Sequence, residues 1–247
     1  MNEAVVLKLV GTVRKDEPRV GTKKLHRRLR ATFVKSGVRV GRDKLFGILR
    51  NADELVKPKR SYQKTTYSRH SYAVAPNRIK DLEVTAPGQV LVSDITYLRL
   101  KQGRFAYLFL TTDLYSRMIV GYHVSLDLSH HSALLALQMA TERSGGSMQG
   151  TIHHSDRGTQ YCCHEFRTAL TRYGMLSSMT DEAHCYQNAV AERVNGILKD
   201  EFNLDAIFPD TYAVRAAVTR AIMVYNTKRT HFSLGLKTPL EVHSQAA

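Results

Sequence analysis

Residues 89–126 read QVLVSDITYLRLKQGRFAYLFLTTDLYSRMIVGYHVSL, three short runs rich in Val, Ile, Leu, Tyr and Thr, divided at Gln102-Gly103 and again at Tyr115-Ser116. β-Branched and aromatic side chains suit a pleated, half-buried surface, so runs of this kind separated by turn residues predict consecutive antiparallel strands. Further along, SALLALQMATERS (132–144) reads as a helix that stops at Gly145-Gly146. TIHHSD (151–156) reads as a strand ending at the turn around Gly158, EFRTALTRYG (165–174) as a helix and MLSSMT (175–180) as a short strand. NAVAERVNGILKDEF (188–202) is a last helix. Three strands, helix, strand, helix, strand, helix predicts an α/β domain with a mixed sheet.

Two carboxylates sit in these strands. Asp94 lies inside an apolar run and Asp156 ends another just before Arg157-Gly158. An ionised carboxylate in such a place needs a cation or several hydrogen bonds to offset its desolvation, although a strand-end Asp also serves as an ordinary turn residue. A third acid, Glu192, belongs to the last helix. At about 100° per residue, Asn188, Glu192, Asn195 and Lys199 share an arc of roughly 60°, with Val190, Val194 and Ile197 opposite. A few Asp and Glu side chains from separate strands and a helix are the hard oxygen donors that Mg²⁺ takes, and two such ions about 4 Å apart serve phosphodiester chemistry. Lys199, with Asn188 and Asn195 on the same stripe, then becomes a candidate DNA contact; any surface helix also shows a polar stripe.

Charge points to a polyanionic partner. The 247 residues carry 36 Lys and Arg against 22 Asp and Glu, a formal +14, with a sequence pI near 9.8. Residues 1–84 hold 21 basic and 8 acidic residues, and 85–247 hold 15 and 14, which suggests two modules. Within residues 1–55 apolar positions recur at helical spacing in three blocks: Val5 to Val13, Leu25 to Phe33 and Leu45 to Ala52. Thr22 is the expected N-cap of the second helix, Ser36-Gly37 its end, and Gly41 opens the third. Two helices with a tight link suit a helix-turn-helix, which would present Arg42, Lys44 and Arg50 to a major groove and hold Lys23, Lys24, Arg27 and Arg28 nearer the backbone. A small bundle with a solvated cationic face is the competing reading. Residues 56–84 are polar and basic, interleaved with Tyr62, Tyr67 and Tyr72, and read as a linker.

No apolar run approaches the roughly 18 residues of a membrane span, and the N-terminus lacks the features of a secretory signal. The expectation is an intracellular protein. Among the cysteines, HHSDRGTQYCCHEF (153–166) places His153, His154, Cys162, Cys163 and His164 close together, which invites a zinc reading. Neighbouring cysteines do not easily point at one ion, and no CxxC or HxxxH pair supplies the usual bite. His153 and His154 are instead expected to alternate across a strand, one toward the carboxylates, where it could orient water or DNA.

VSDITYL, TTDLYSRMIVGYHVSL, IHHSDRGTQY, NAVAERVNGILKDEF and YNTKRTHFSLGLKTPLEV, in this order, resemble the orfB-type catalytic protein of bacterial insertion-sequence transposases of the IS-three type, over about residues 20–243. The resemblance implies a ribonuclease-H-like integrase core preceded by a small all-α helix-turn-helix region, and an Asp, Asp, Glu triad of Asp94, Asp156 and Glu192. The last two are separated by 35 residues, the spacing for which such enzymes are named. It further implies that Lys199 contacts the transposon end and that Asp113 supports the fold. Two positions depart from the family: Gln187 where many relatives carry Asp, expected to alter a neighbouring hydrogen bond, and Leu91 where they usually carry Trp.

The expected organisation is therefore a helix-turn-helix region at 1–55, a basic linker at 56–84, the catalytic core at 85–235 and a tail at 236–247. The expected activity is metal-dependent 3′-end nicking and strand transfer at insertion-sequence ends, with Mg²⁺ or Mn²⁺ held by the triad. Implied partners are DNA, further copies of the chain, and an upstream orfA-type protein whose helix-turn-helix and zipper are commonly fused to this product, without which weak or nonspecific activity is expected. The implied location is the bacterial cytoplasm, at the nucleoid. A plain metal-dependent nuclease and a catalytically inactive DNA-binding remnant or regulator are the alternatives.

Overall fold

The computed structural model describes residues 3–56, 72–146, 148–181 and 188–245. Three helices come first: α1 (Glu3–Arg14), α2 (Thr22–Lys35) and α3 (Arg42–Asn51). They close around Val6, Val10, Leu25, Leu29, Phe33, Leu45, Ile48 and Leu49, the positions picked out by helical spacing. One detail differs. Gly21, in extended backbone, is the cap of α2, and Thr22 is already its first helical residue, with no side-chain cap bond.

The core follows as β1 (Val90–Leu100), β2 (Phe105–Asp113), β3 (Ile119–Ser125), α4 (His130–Arg143), β4 (Ile152–Ser155), α5 (Thr159–Cys162), α6 (His164–Arg172), β5 (Leu176–Met179) and α7 (Ala189–Glu201). The sheet order is β3-β2-β1-β4-β5; β1, β2 and β3 pair antiparallel, whereas β4 joins β1 and β5 in parallel. This mixed sheet is the integrase-like, ribonuclease-H-like arrangement. One face packs Leu91, Phe109 and Val120 on α4, α5 and α6; the other packs Val90, Val92, Leu98 and Leu100 on α7 and α8 (Thr211–Thr227). Gly121 of β3 permits a close approach of β3 to α4: a Cβ there would lie 2.0 Å from the Ala136 carbonyl of α4.

Three features depart from the sequence reading. A two-residue strand, β6 (Ile207–Phe208), pairs with the end of β1, and neither it nor α8 was anticipated. Within the segment expected as a tail, α9 (Pro239–Gln245) packs on α8, with the His243 Nδ1 3.0 Å from Ser116 Oγ. Part of the expected linker belongs to the core, because Ile79 and Val84 pack on Val90 and Val92 while the Arg78 backbone N–H donates to Ser178 Oγ on β5. Tyr62 and Tyr67 lie outside the described residues, as do Gln187 and Cys185.

Candidate active site

Strand register assembles the first two acids. Val92 pairs with His154 in the parallel β1–β4 ladder; Asp94 lies two residues further along β1 on the face of Val92, and Asp156 follows directly on the end of β4. The Asp156 carboxylate folds back to accept the Gly158 N–H at 3.0 Å, a turn that leaves little room for a side chain at 158, where a Cβ would lie 3.0 Å from Asp156 Oδ1. Helix α7 crosses this same face: Ala191 packs into the apolar cluster of Val90 and Val92, and Glu192, the next residue, is exposed at its edge.

The electrostatics couple the three acids. Burial first, then the Asp156 charge and, less strongly, that of Glu192 push the Asp94 carboxyl up to about 7, against the Asn195 amide, which donates to Asp94 Oδ2 at 2.7 Å. The site thus brings like-charged carboxylates into mutual range, and its donors are all carboxylate oxygens. That combination fits a hard divalent cation. The three acids are not drawn into a single tight cage of donor atoms within 4.8 Å of one another. Asp94 is the group on which the charges of both others act.

The surrounding polar residues divide in ways the sequence did not reveal. Asn195 and Asn188 are corrections: both are buried on the inner side of α7, Asn195 bonded to Asp94 and Asn188 donating to the Ser93 carbonyl at 3.0 Å, so neither presents its amide to DNA. The polar stripe of α7 faces the sheet's carboxylates, and periodicity alone cannot say which partner a stripe faces. Lys199, half-buried, does sit at the site's edge; burial lowers its ammonium pKa while the charges of Asp94 and Asp205 oppose the shift.

His153 and His154 alternate across β4 as expected. His153 turns away from the acids, bonding Ser93 Oγ at 2.9 Å between the rings of Tyr161 and Phe166, and burial takes it down to about 3. His154 is on the carboxylate face, with Nδ1 2.9 Å from Ser178 Oγ, and burial takes it down to about 4. Both are neutral. Asp113, fully buried, accepts from the Ser116 N–H and hydroxyl and from the Gly88 N–H, the bonding of a structural carboxylate.

In the helical region, Arg42, Lys44 and Arg50 are exposed on α3, Arg42 paired with Asp43 and Arg50 stacked over Phe46 at 4.9 Å. Lys23 is exposed on α2 over the Phe232 ring. Lys24 is a further correction. It is 9% exposed and its ammonium lies 3.1 Å from Glu201 Oε1, a carboxylate also held by Arg229 at 2.7 Å, so its charge is used inside the protein.

Fold and carboxylates define an integrase-type catalytic core. Residues 84–185 and 173–239 match two models of the integrase core domain. The chain is 35% identical over 215 residues to an insertion element IS600 uncharacterized 31 kDa protein of Shigella sonnei, covering 86% of this chain and 78% of that one. It is 33% identical over 193 residues to the transposase InsF for insertion sequence IS3A of Escherichia coli (strain K12), covering 77% of this chain and 66% of InsF. The HTLV-2 integrase catalytic core domain in complex with magnesium superposes with a TM-score of 0.50 at 20% identity, over 64% of this chain and 97% of that one. A simian T-cell lymphotropic virus intasome in complex with PP2A regulatory subunit B56 gamma does so with a TM-score of 0.53 at 19% identity, over 90% and 74%. The chain belongs to the IS3 family of transposases, orfB (InsF) type, whose integrase core marks DDE polynucleotidyl transferases.

Proposed function

We propose that the chain nicks DNA at the 3′ ends of its insertion sequence and transfers the freed 3′-hydroxyls to a new phosphodiester, using Asp94, Asp156 and Glu192. The observation that supports this reading is the charge coupling of Asp94, on β1, with Asp156, just after β4, and with Glu192 on the helix that crosses the same face. Asp94, Asp156 and Glu192 would hold Mg²⁺ or Mn²⁺, which suits carboxylate donors. When bound, such ions activate the attacking oxygen and stabilise the leaving oxygen of a phosphodiester. Asn195 holds the Asp94 carboxylate in one orientation, Lys199 at the rim takes the adjacent DNA backbone, and Arg42, Lys44, Arg50 and Lys23 grip DNA through the helical region. No side chain has to form a covalent intermediate with DNA. Joining two ends calls for more than one copy of the chain, and an upstream orfA-type protein, fused or separate, is the partner that adds end specificity.

Cleavage of a labelled end duplex with Mg²⁺ tests the assignment. Glu192→Gln should lose about 10³-fold or more in rate, roughly 4 kcal/mol of transition-state stabilisation; turnover equal to wild type would remove Glu192 from the mechanism. A supercoiled plasmid carrying matched terminal repeats distinguishes transposition from simple nuclease action, since a nuclease yields no joined-end product.

A further inference from the structure

Behind the carboxylate site, the start of α4 meets the junction of α5 and α6. His130 is the first helical residue of α4, Cys163 caps α6, and Glu165 lies in the first turn of α6. One donor atom from each of these three side chains lies within 4.8 Å of the other two, the sole such group of three among the described residues. We propose that His130, Cys163 and Glu165 form a binding site for one borderline divalent cation of the zinc type, separate from the oxygen-only site of the triad.

The donor set carries the argument. Imidazole nitrogen, thiolate sulfur and carboxylate oxygen are the ligands zinc uses, and three protein ligands leave a position for water. Tetrahedral bonds of about 2.0–2.3 Å place ligand atoms roughly 3.5 Å apart, so small side-chain rotations close the observed spacing. Cys163 and Glu165 supply two negative charges to a doubly charged ion, and the N-terminal end of α6 favours both anions. Cys162, by contrast, turns inward onto Met179 Sδ at 3.6 Å, so the vicinal cysteines diverge and one alone serves. The Cys163 thiol currently donates to the Gln160 carbonyl at 3.5 Å; binding would release its proton to solvent as the sulfur–metal bond forms. A metal here would fasten α4 to the elbow that follows Asp156, alongside the bond from Gln160 Nε2 to the Leu128 carbonyl.

Co²⁺ titrated into the metal-free full chain provides the test, because a thiolate ligand gives a near-ultraviolet charge-transfer band and the carboxylate triad gives none. The expected result is a saturable band that Zn²⁺, the tighter-binding ion, abolishes. The band should persist in Cys162→Ser and in Glu192→Gln, and vanish in Cys163→Ser and in His130→Ala. Zn²⁺ should also raise the melting temperature of wild type and not of Cys163→Ser. His130→Ala guards against loss of the band through loosening at the start of α6, provided it melts as wild type does without metal. No band in folded wild type, a band of wild-type strength in Cys163→Ser or in His130→Ala, or its loss in Cys162→Ser would overturn the proposal.

Discussion

Asn195 shows how a single side chain changes meaning once its surroundings are known. On the helix stripe it reads as a DNA contact; in the fold its amide donates to Asp94 at 2.7 Å and helps hold a carboxylate that burial and like charge push toward protonation. Asn195→Ala should lower the cleavage rate about 10- to 100-fold, the usual cost of losing a partner that orients a ligand side chain, with the melting temperature changed little. Single-turnover cleavage of end duplex measures this, and a rate within twofold of wild type would mean Asp94 is oriented without it. Lys24 carries the opposite lesson. Burial first, then the like charge of Arg229, bring its ammonium down to about 8, with Glu201 opposing both. Lys24→Met should therefore leave affinity for DNA nearly unchanged, whereas Lys23→Met, exposed beside it, should weaken binding and flatten its salt dependence. Equilibrium binding at several salt concentrations separates the two.

Among the elements, β3 and α4 are joined through a position where only glycine fits. At Gly121 an added methyl group would collide with the Ala136 carbonyl at 2.0 Å and crowd the Ala140 nitrogen at 3.0 Å, and backbone cannot retreat as a side-chain tip can. Gly121→Ala should cost about 3 kcal/mol or more, read from urea unfolding. On the opposite face α8 is fastened to β3 by Asn226, which accepts from the Ile119 N–H at 3.0 Å and donates to the Ile119 carbonyl at 2.9 Å. Asn226→Ala leaves both backbone groups buried without these partners and should cost a comparable ~3 kcal/mol. Much of the C-terminal signature YNTKRTH is explained by such bonds: the Tyr225 hydroxyl reaches the Arg117 carbonyl, and Arg229 grips Glu201 through two nitrogens. These residues hold the sheet edge and the end of α7; they do not line the carboxylate site.

Across the whole molecule, charge pairs join the helical region to the core. Glu201, at the end of the helix that carries Glu192, receives Lys24 and Arg229, and its backbone carbonyl accepts the Arg19 N–H; Asp16 meets Arg220 and Lys228. Burial alone would raise the Glu201 pKa, but the hydrogen bonds and charges of Arg229 and Lys24 outweigh it and hold the carboxylate below its ordinary 4.5. A folded-state value below the unfolded one adds stability that is complete above the ordinary value and is lost as pH falls through the lower one. The melting temperature of wild type should therefore fall on acidification below about pH 4.5 more steeply than that of Glu201→Gln. At neutral pH the variant should be less stable by about 3–5 kcal/mol, since two buried cations lose their counterion. Equal stability at neutral pH would show that this junction contributes little.

Elements came readily from the sequence because apolar spacing is local: the three N-terminal helices, strands β1 to β5 and helices α4, α6 and α7 all follow from runs of fewer than twenty residues. The motifs' family resemblance is what points to the three acids as the proposed triad, and Asp94 and Asp156 could be singled out because a carboxylate in an apolar strand is costly without a partner. What the sequence left open was which surface each polar stripe meets. Strand β6, helix α8 and the true nature of the C-terminal segment were missed, since two residues of strand carry no periodic signal and a helix buried on one side of a sheet shows only a weak one. The parallel pairing of β1 with β4 brought Asp94 and Asp156 into range of each other, docking of α7 decided that Asn188 and Asn195 spend their polarity inside, and the meeting of α2 with the end of α7 decided the same for Lys24. Pairing across 60 residues of chain, like the meeting of His130 with Cys163 and Glu165, depends on how faces pack in three dimensions, and that information is absent from any local pattern.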